Sequence, residues 1–421
     1  MFRSSRPNAI TLAKRLLVLS ALAGTAHFPV RAQAAPAAGA DVQSPSEALA
    51  EDAGQYALLH GVSFDDAFRR LRAQEESVAV TEQLAQLHAG RLAGIAVEHQ
   101  PAFRIVVLLT GTAPVPDQMI RAGGLDVLIV FRTGAAATGA EVVASIRQHQ
   151  GAIRSAMASP PGMGLDPRTG ELVLLVRMAD AERHGRTALR AGMEALTGVP
   201  VRIGLLDGPD AQLGVEGGER VVGIDPADGH RYVCTTGFVV TDGARTGIAT
   251  AAHCPDALTH RESDGGQTDL DFVGQWGAGS QDVQIHLAPS SPAPVFRAGA
   301  RGGAVRTVIG ARARAATRAG DTVCHRGERS GYSCSQVQLV DYAPPGDLCG
   351  GPCEPTWVTV AGPGCGAGDS GGPVFIGNTA LGIAKGGSYN RPGSCAFYYY
   401  MSADYLPAGW SLLREPAVPT R

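Results

Sequence analysis

Three short stretches carry side chains that could do chemistry together. "TAAHC" presents His253, "SQDVQIHL" presents Asp282 at the head of an alternating strand, and "GCGAGDSGGPVF" presents Ser370 inside a glycine-rich turn. A serine hydroxyl is a poor nucleophile near neutral pH and needs a base to take its proton; an imidazole base in turn needs a third group to fix its tautomer. His253, Asp282 and Ser370 supply those three roles, and the reaction they suit is acyl transfer. Stabilising the oxyanion of such a reaction requires backbone N–H groups aimed at one spot, in a turn that side chains would obstruct. Gly368 and Ser370 are the expected donors. Each stretch alone is weak evidence, since a His beside a Cys is commonly structural and a Ser among glycines is commonly just a turn. The three in this order have a low chance rate.

The elements that must position these residues lie after about residue 207. There Gly, Thr and Val dominate, and short strands alternate with Gly-rich turns, the pattern of an all-β sandwich or barrel. Before that point the pattern mixes helix and strand. "SFDDAFRRLRAQEE" puts Val62, Phe64, Phe68 and Leu71 on one helical face, with Ser63 as N-cap and Asp66 three residues on. Strands are expected at 102–111, 124–134, 169–178 and 199–206, and helices at 139–157 and 180–198. "LAGIAVEHQPAFRIVVLL" and "GMGLDPRTGELVLLV" each set a short strand, a polar turn and a long apolar strand in sequence, which suggests two similar α+β subdomains. Residues 35–50 are rich in Ala, Pro, Ser and Gly and read as a flexible linker, with 35–60 as its expected extent.

At 421 residues the chain is too long for one ordinary core, so several domains are expected. A net charge of −3 with no sustained basic block argues against nucleic acid or an anionic membrane as partner, and the scattered arginines read as solvated surface. Residues 1–34 read as a signal peptide: Arg3, Arg6, Lys14 and Arg15, then "LLVLSALAGTA", then Ala32-Gln33-Ala34 as a small-residue cleavage site. The apolar run is shorter than the roughly 18 residues a membrane anchor needs. Export, to the extracellular space or periplasm, makes crosslinks the favoured reading of the eight cysteines, Cys234, Cys254, Cys324, Cys334, Cys349, Cys353, Cys365 and Cys395. A zinc site using Cys349 and Cys353 is the competing reading. All eight fall in the C-terminal half, which marks a domain boundary.

From about 208 to 415 the chain resembles a chymotrypsin-fold serine protease. More narrowly it resembles the streptogrisin and α-lytic protease group, through "GDTVCHRGERSGYSC" at 320–334 and through "LGIAKGGS", which is similar to that group's substrate-binding strand. The resemblance implies two six-stranded antiparallel β-barrels over 208–421 with the triad at their junction. It implies the pairs Cys234 with Cys254, Cys324 with Cys334 and Cys365 with Cys395, leaving Cys349 and Cys353 to close the "CGGPC" loop. It also implies that 61–207 is a pro-region that assists folding and inhibits the protease until cut away, with the junction between about 200 and 222. All-β domains with non-local pairing fold slowly, which gives a folding aid a purpose. Polypeptide substrates and the chain's own pro-region are the expected partners of a monomeric enzyme, with neither metal nor organic cofactor.

Three departures from the group's pattern carry expectations of their own. Relatives hold a basic residue after the cysteine matching Cys324, to pair with the Asp before the nucleophile; here either His325 or Arg326 is expected to pair with Asp369. Between Cys365 and Gly368 stand only Gly366 and Ala367, and 356–368 holds no acid, while Ala384 occupies the place where glutamate-specific relatives have His. An apolar or small side chain before the cut is favoured by elimination, with Gly386 and Gly387 leaving that pocket open and offering backbone groups to an extended peptide. Relatives usually carry Ser at the position of Lys385. Its ammonium could pair with Asp282, line the next substrate subsite, or lead its stem out to solvent. The reading from a different class is a non-catalytic secreted binding protein on a protease scaffold.

Overall fold

The N-terminal part begins with helices set by their caps. α1 (Pro45–His60) starts at Ser44, whose side chain accepts from the Glu47 N–H while Glu47 reaches back to the Ser44 N–H at 2.8 Å. Pro45 occupies the first turn and Gly61, at φ +64°, ends the helix. Over 45–60 this helix corrects the linker expected at 35–60, whose first residues, 35–41, lie outside the described residues: Ala-rich composition read as flexible is also good helix composition once a capping box starts it. α2 (Phe64–Glu76) opens on Ser63, which accepts from Asp66 N–H at 3.2 Å, and α3 (Val78–Leu87) follows. The computed structural model describes residues 42–206, 210–212, 219–261, 266–289, 291–299, 305–346, 348–362, 364–391 and 394–415. The expected signal peptide lies outside them.

Two four-stranded sheets follow. The first runs Leu92–Glu98, Arg104–Thr110, Leu125–Ala135, Gln118–Ala122, with the central pair parallel. α4 (Gly139–Ser155) leads to the second, which runs Val340–Ala343, Gly162–Asp166, Glu171–Arg177, Val201–Leu206, the last pair parallel. Each sheet thus starts from an antiparallel hairpin and adds a parallel strand, the likeness expected from the two sequence pieces. The single helix expected at 180–198 is two, α5 (Met178–His184) and α6 (Arg186–Thr197), because Gly185 sits at φ +73°.

The second sheet takes its edge strand from the C-terminal half. Val340–Ala343 pairs antiparallel with Gly162–Asp166, Val340 opposite Leu165. A Cβ at Gly162 would come 2.4 Å from the Tyr342 hydroxyl, so the glycine lets that ring lie on the strand. The buried core is continuous across the halves as well: Ala53, Tyr56, Ala67 and Leu71 pack in one cluster with Val323, Tyr342, Trp357 and Phe375.

Charged groups are buried in the same contact. Arg306, fully buried, donates to Asp52 at 2.9 Å, to Glu51 at 2.8 Å and to Gln43 at 2.9 Å. Arg318 donates to Asp321 at 2.9 Å and to the Gln74 carbonyl at 2.7 Å, and Arg312 bridges Asp321 and Glu75. These arginines correct the reading of the basic side chains as solvated surface; buried charge is tolerated because each guanidinium is paired and hydrogen-bonded.

The rest is β. One eight-stranded sheet runs Arg231–Thr235, Arg220–Ile224, Leu258–Arg261, Gln267–Trp276, Val283–Leu287, Thr246–Thr250, Val239–Thr241, Ser411–Leu412. The other runs Gly331–Gln336, Thr322–Gly327, Pro373–Ile376, Thr379–Arg391, Ser394–Ser402, Val358–Ala361; Gly310–Ala311 and Asp210–Gln212 add to Thr379–Arg391 off that path. No helix among the described residues is long and apolar enough to cross a membrane.

Candidate active site

His253 and Asp282 come from neighbouring strands of the first eight-stranded sheet. Thr246–Thr250 pairs with Val283–Leu287, Thr250 opposite Gln284, so the residues just past one strand and just before the other meet at one end. Cys254 anchors the His253 loop through its disulfide to Cys234. Ser370 comes from the second sheet, in the turn leading into Pro373–Ile376. Thr235 ties that turn to the first sheet, its N–H donating to the Ser370 carbonyl at 2.8 Å and its hydroxyl to the Gly368 carbonyl at 2.9 Å.

The three side chains form one hydrogen-bonded line. His253 Nε2 lies 2.9 Å from Ser370 Oγ, and Nδ1 lies 2.9 Å from Asp282 Oδ2 and 3.2 Å from Oδ1. The His253 N–H also donates to Oδ1 at 3.2 Å. An ionised Asp282 accepts at both oxygens, which leaves Nδ1 as the protonated nitrogen and Nε2 free to accept from the serine. Burial alone would raise the Asp282 carboxyl, but the charges of His253 and Lys385 and the hydrogen bond from His253 outweigh it and hold it well below the usual carboxylate range.

The nucleophile turn is shaped by its glycines. Gly368 has φ +137° and Gly371 φ +86°, and a Cβ on Gly371 would stand 2.3 Å from the Thr235 carbonyl. Gly371 N–H donates to Ala384 O at 2.7 Å and Ala384 N–H to Gly372 O at 2.8 Å, binding the turn to the strand that carries Lys385.

Asp369 accepts hydrogen bonds from the backbone. Its Oδ1 accepts from the backbone N–H groups of Arg329 and Ser330, both at 3.1 Å, and Oδ2 from Gly366 N–H at 2.7 Å. Three amides thus hold the carboxylate, and the His325 ring stands close enough to feel its charge. His325 turns its ring onto Tyr398 with centroids 4.6 Å apart, and burial lowers its affinity for a proton. Arg326 donates to the Gly327 carbonyl.

Lys385 is 1% exposed, its Nζ 3.2 Å from Asp282 Oδ2 in an ion pair rather than a well-directed hydrogen bond, and 5.2 Å from the centre of the Trp357 ring. Of the three readings left open for it, the pairing with Asp282 is the one seen here, and a side chain this buried does not lead its stem out to solvent. Gly386 and Gly387 are also not gaps in a pocket: a Cβ there would stand 2.7 Å from the Tyr399 hydroxyl and 2.8 Å from Cys365 Sγ. Their backbone is nonetheless engaged by an extended segment, since Gly386, Gly387 and Ser388 pair antiparallel with Gln212, Ala211 and Asp210. The remaining disulfides join Cys324 to Cys334, Cys349 to Cys353 and Cys365 to Cys395. The Cys349–Cys353 bond removes both thiolates from the zinc reading.

Compared with known proteins, the chain is 27% identical over 406 residues to Streptogrisin-C of Streptomyces griseus, covering 92% of this chain and 79% of that one. The likeness is to a chymotrypsin-fold serine protease of the streptogrisin type. It runs through both halves of the chain, N-terminal sheets included. No family model matches. Among solved structures, a glutamic acid specific serine protease described as using a histidine triad in substrate binding is 23% identical, covering 45% of this chain and 93% of that one, with a TM-score of 0.35. The Cellulomonas bogoriensis chymotrypsin is 21% identical, covering 48% and 98%, with a TM-score of 0.35.

Two contributors to this streptogrisin-like site escaped sequence reasoning. Met401, whose Sδ accepts from the Asp282 N–H at 3.3 Å, and Trp357, beneath the Lys385 ammonium, come from strands that only the fold brings near. The amide donors to Asp369 carry no residue-type signal at all.

Proposed function

We propose that the chain is the precursor of a secreted serine endopeptidase, made with a signal peptide at 1–34 and an inhibitory folding segment that ends within the expected junction at about 200–222, past residues 210–212, with catalysis in the remainder to 421. The observation that carries the reading is the line from Ser370 Oγ through both nitrogens of His253 to Asp282, with 2.9 Å at each step. Ser370 Oγ attacks the scissile carbonyl carbon while its proton passes to Nε2; the same proton leaves on the amine, and the acyl-enzyme remains. Water then attacks, giving its proton to Nε2, and Ser370 recovers it as the acid departs. Gly368 and Ser370 N–H groups hold the oxyanion. The two eight-stranded sheets are read as the two barrels. No metal or organic cofactor takes part.

The antiparallel seat of 210–212 on 386–388 supports an inhibitory role for the chain's own segment, because it is the way an extended substrate adds to a sheet edge. Ser370 is fully buried in this form. The cut is expected between 212 and 222, with release into the extracellular space or periplasm as a monomer acting on polypeptides that present an apolar or small residue before the scissile bond.

The test is N-terminal sequencing of the secreted product beside Ser370→Ala, with fluorophosphonate labelling of the wild type. Self-cleavage lost in the variant and label on Ser370 support the reading. No label on the cut wild type would leave the chain as a binding protein on a protease scaffold.

A further inference from the structure

We propose that the C-terminal half carries a second binding site, apart from the triad, for an acidic segment of a polypeptide: a carboxylate seat built by Arg306, Tyr332 and the Gly377 N–H beside the edge of the strand Val305–Thr307. The chain's own Asp52 fills the seat here, and the seat is vacated when the N-terminal half leaves, so the proposal rests on the protease reading above.

Three separate stretches of the C-terminal half converge on that one carboxylate. Arg306 donates to Asp52 Oδ1 at 2.9 Å, the Tyr332 hydroxyl to the same oxygen at 2.5 Å, and Gly377 N–H to Oδ2 at 2.6 Å. A cation and two further donors spread over both oxygens are what an ionised carboxyl group needs. The donors are held by their own half. The Arg306 guanidinium lies 5.1 Å from the centre of the Phe375 ring and 5.7 Å from that of Tyr332, and it donates to the Gly377 carbonyl at 3.2 Å. The seat is therefore formed before a ligand arrives, and little ordering is left to oppose binding.

Charge singles out this site from its neighbours. Arg318 keeps Asp321 of its own half at 2.9 Å, and Arg312 reaches the same carboxylate at 3.1 Å. Arg306 pairs with Asp52 and Glu51 of the N-terminal half, and among the described residues no carboxylate of its own half pairs with it. Once α1 has gone, the guanidinium is left without a counter-ion. The main chain beside it points to a peptide rather than a free anion. Val42–Gln43 lies parallel to Val305–Thr307, Val42 opposite Val305 and Gln43 opposite Arg306, and the Gln43 side chain accepts from Arg306 at 2.9 Å. Val295–Arg297 takes the other edge, so departure of Val42–Gln43 frees one edge for an incoming strand. Gly377 follows the strand Pro373–Ile376, whose other end is the turn that carries Ser370, so the seat and the nucleophile stand at opposite ends of one strand.

The experiment uses the secreted, cut enzyme, purified free of its N-terminal half and blocked at Ser370 with a fluorophosphonate so that the probe is not cleaved. Fluorescence anisotropy follows a short labelled peptide of Glu-Asp pairs beside its Gln-Asn counterpart. The acidic peptide is expected to bind at least about 30-fold more tightly than the amide one. Arg306→Met is expected to weaken it by about 30-fold, and Tyr332→Phe, which alters no charge, by about 10-fold. Equal binding of the two peptides overturns the proposal even if neither variant folds. So does an acidic peptide that binds Tyr332→Phe as it binds the wild type, since attraction to scattered surface arginines does not sense a lost hydroxyl. A chain that is not cut, or takes no label, counts against the protease reading instead, which separates the two failures.

Discussion

The Tyr56 hydroxyl donates to His99 Nδ1 at 2.6 Å, and through its other nitrogen His99 donates to the Gly320 carbonyl at 2.7 Å. A histidine from the N-terminal half is thereby held neutral against the backbone of the C-terminal half. His60 stacks on it at 4.3 Å. Burial first, then the nearby His99 and Arg70, push His60 down to about 4, and burial lowers His99 as well. Both values are depressed, so the contribution of the neutral pair is present above the ordinary value of about 6.5 and is lost as pH falls toward 4. After the cut, the N-terminal half is expected to dissociate more readily over that window. Size-exclusion chromatography of the cut complex at stepwise pH measures it, and His99→Phe should flatten the dependence; an unchanged profile in that variant would contradict the assignment.

A buried ion pair sets a second expectation. Arg306 and Asp52 are both fully buried and 2.9 Å apart across the two halves, with Tyr332 also donating to Asp52 at 2.5 Å. Asp52→Ala leaves the guanidinium without its one fully buried carboxylate, at a cost of about 3 to 5 kcal/mol. Inhibition of the cut enzyme by N-terminal half supplied in trans should weaken accordingly. The double variant Asp52→Leu with Arg306→Met should recover much of the loss, since apolar replacement of both partners removes the stranded charge.

For the triad itself, Asp282→Asn keeps the shape but offers an amide donor where Nδ1–H and the ammonium need an acceptor. A fall of about 10³- to 10⁴-fold in kcat/KM is expected at neutral pH, with KM little changed. An equal loss in KM would point to damage in the cleft rather than to the base.

The turn that carries Ser370 depends on Asp369 and its three amide donors. Asp369→Asn turns one acceptor oxygen into a donor facing Gly366 N–H or the Arg329 and Ser330 amides. One buried hydrogen bond lost at a cost of about 1 to 3 kcal/mol predicts a roughly 5- to 150-fold slower labelling of Ser370. His325→Phe, which preserves the packing on Tyr398, should label at close to the wild-type rate. A large loss there would mean that the imidazole, not the amides, supports Asp369.

What the sequence made legible was local. Ser63 with Asp66, the alternating strand after Asp282, and the order of His253, Asp282 and Ser370 are each written in adjacent residues, and periodicity and side-chain chemistry suffice to read them. α1 is written locally too, in Ser44, Pro45 and Glu47, although its alanine-rich composition is equally that of a linker. The rest depends on distant pairing. Nothing near Val340 announces that it will border Gly162–Asp166, and nothing near Arg306 or Arg318 announces α1 and α2 as partners. The Asp369 amides depend on backbone direction alone, which residue identity does not encode.

The burial of Lys385 reaches beyond catalysis. The chain has two lysines, Lys14 and Lys385, and every other basic side chain is arginine or histidine. With Lys14 in the segment proposed to be removed and Lys385 1% exposed, the cut protein would present no ε-amine to a reagent in solution. The α-amino group created by the cut becomes its one reactive amine. An amine-reactive dye would then report maturation directly, tagging the folded enzyme at a single place that comes into being only when the chain is opened.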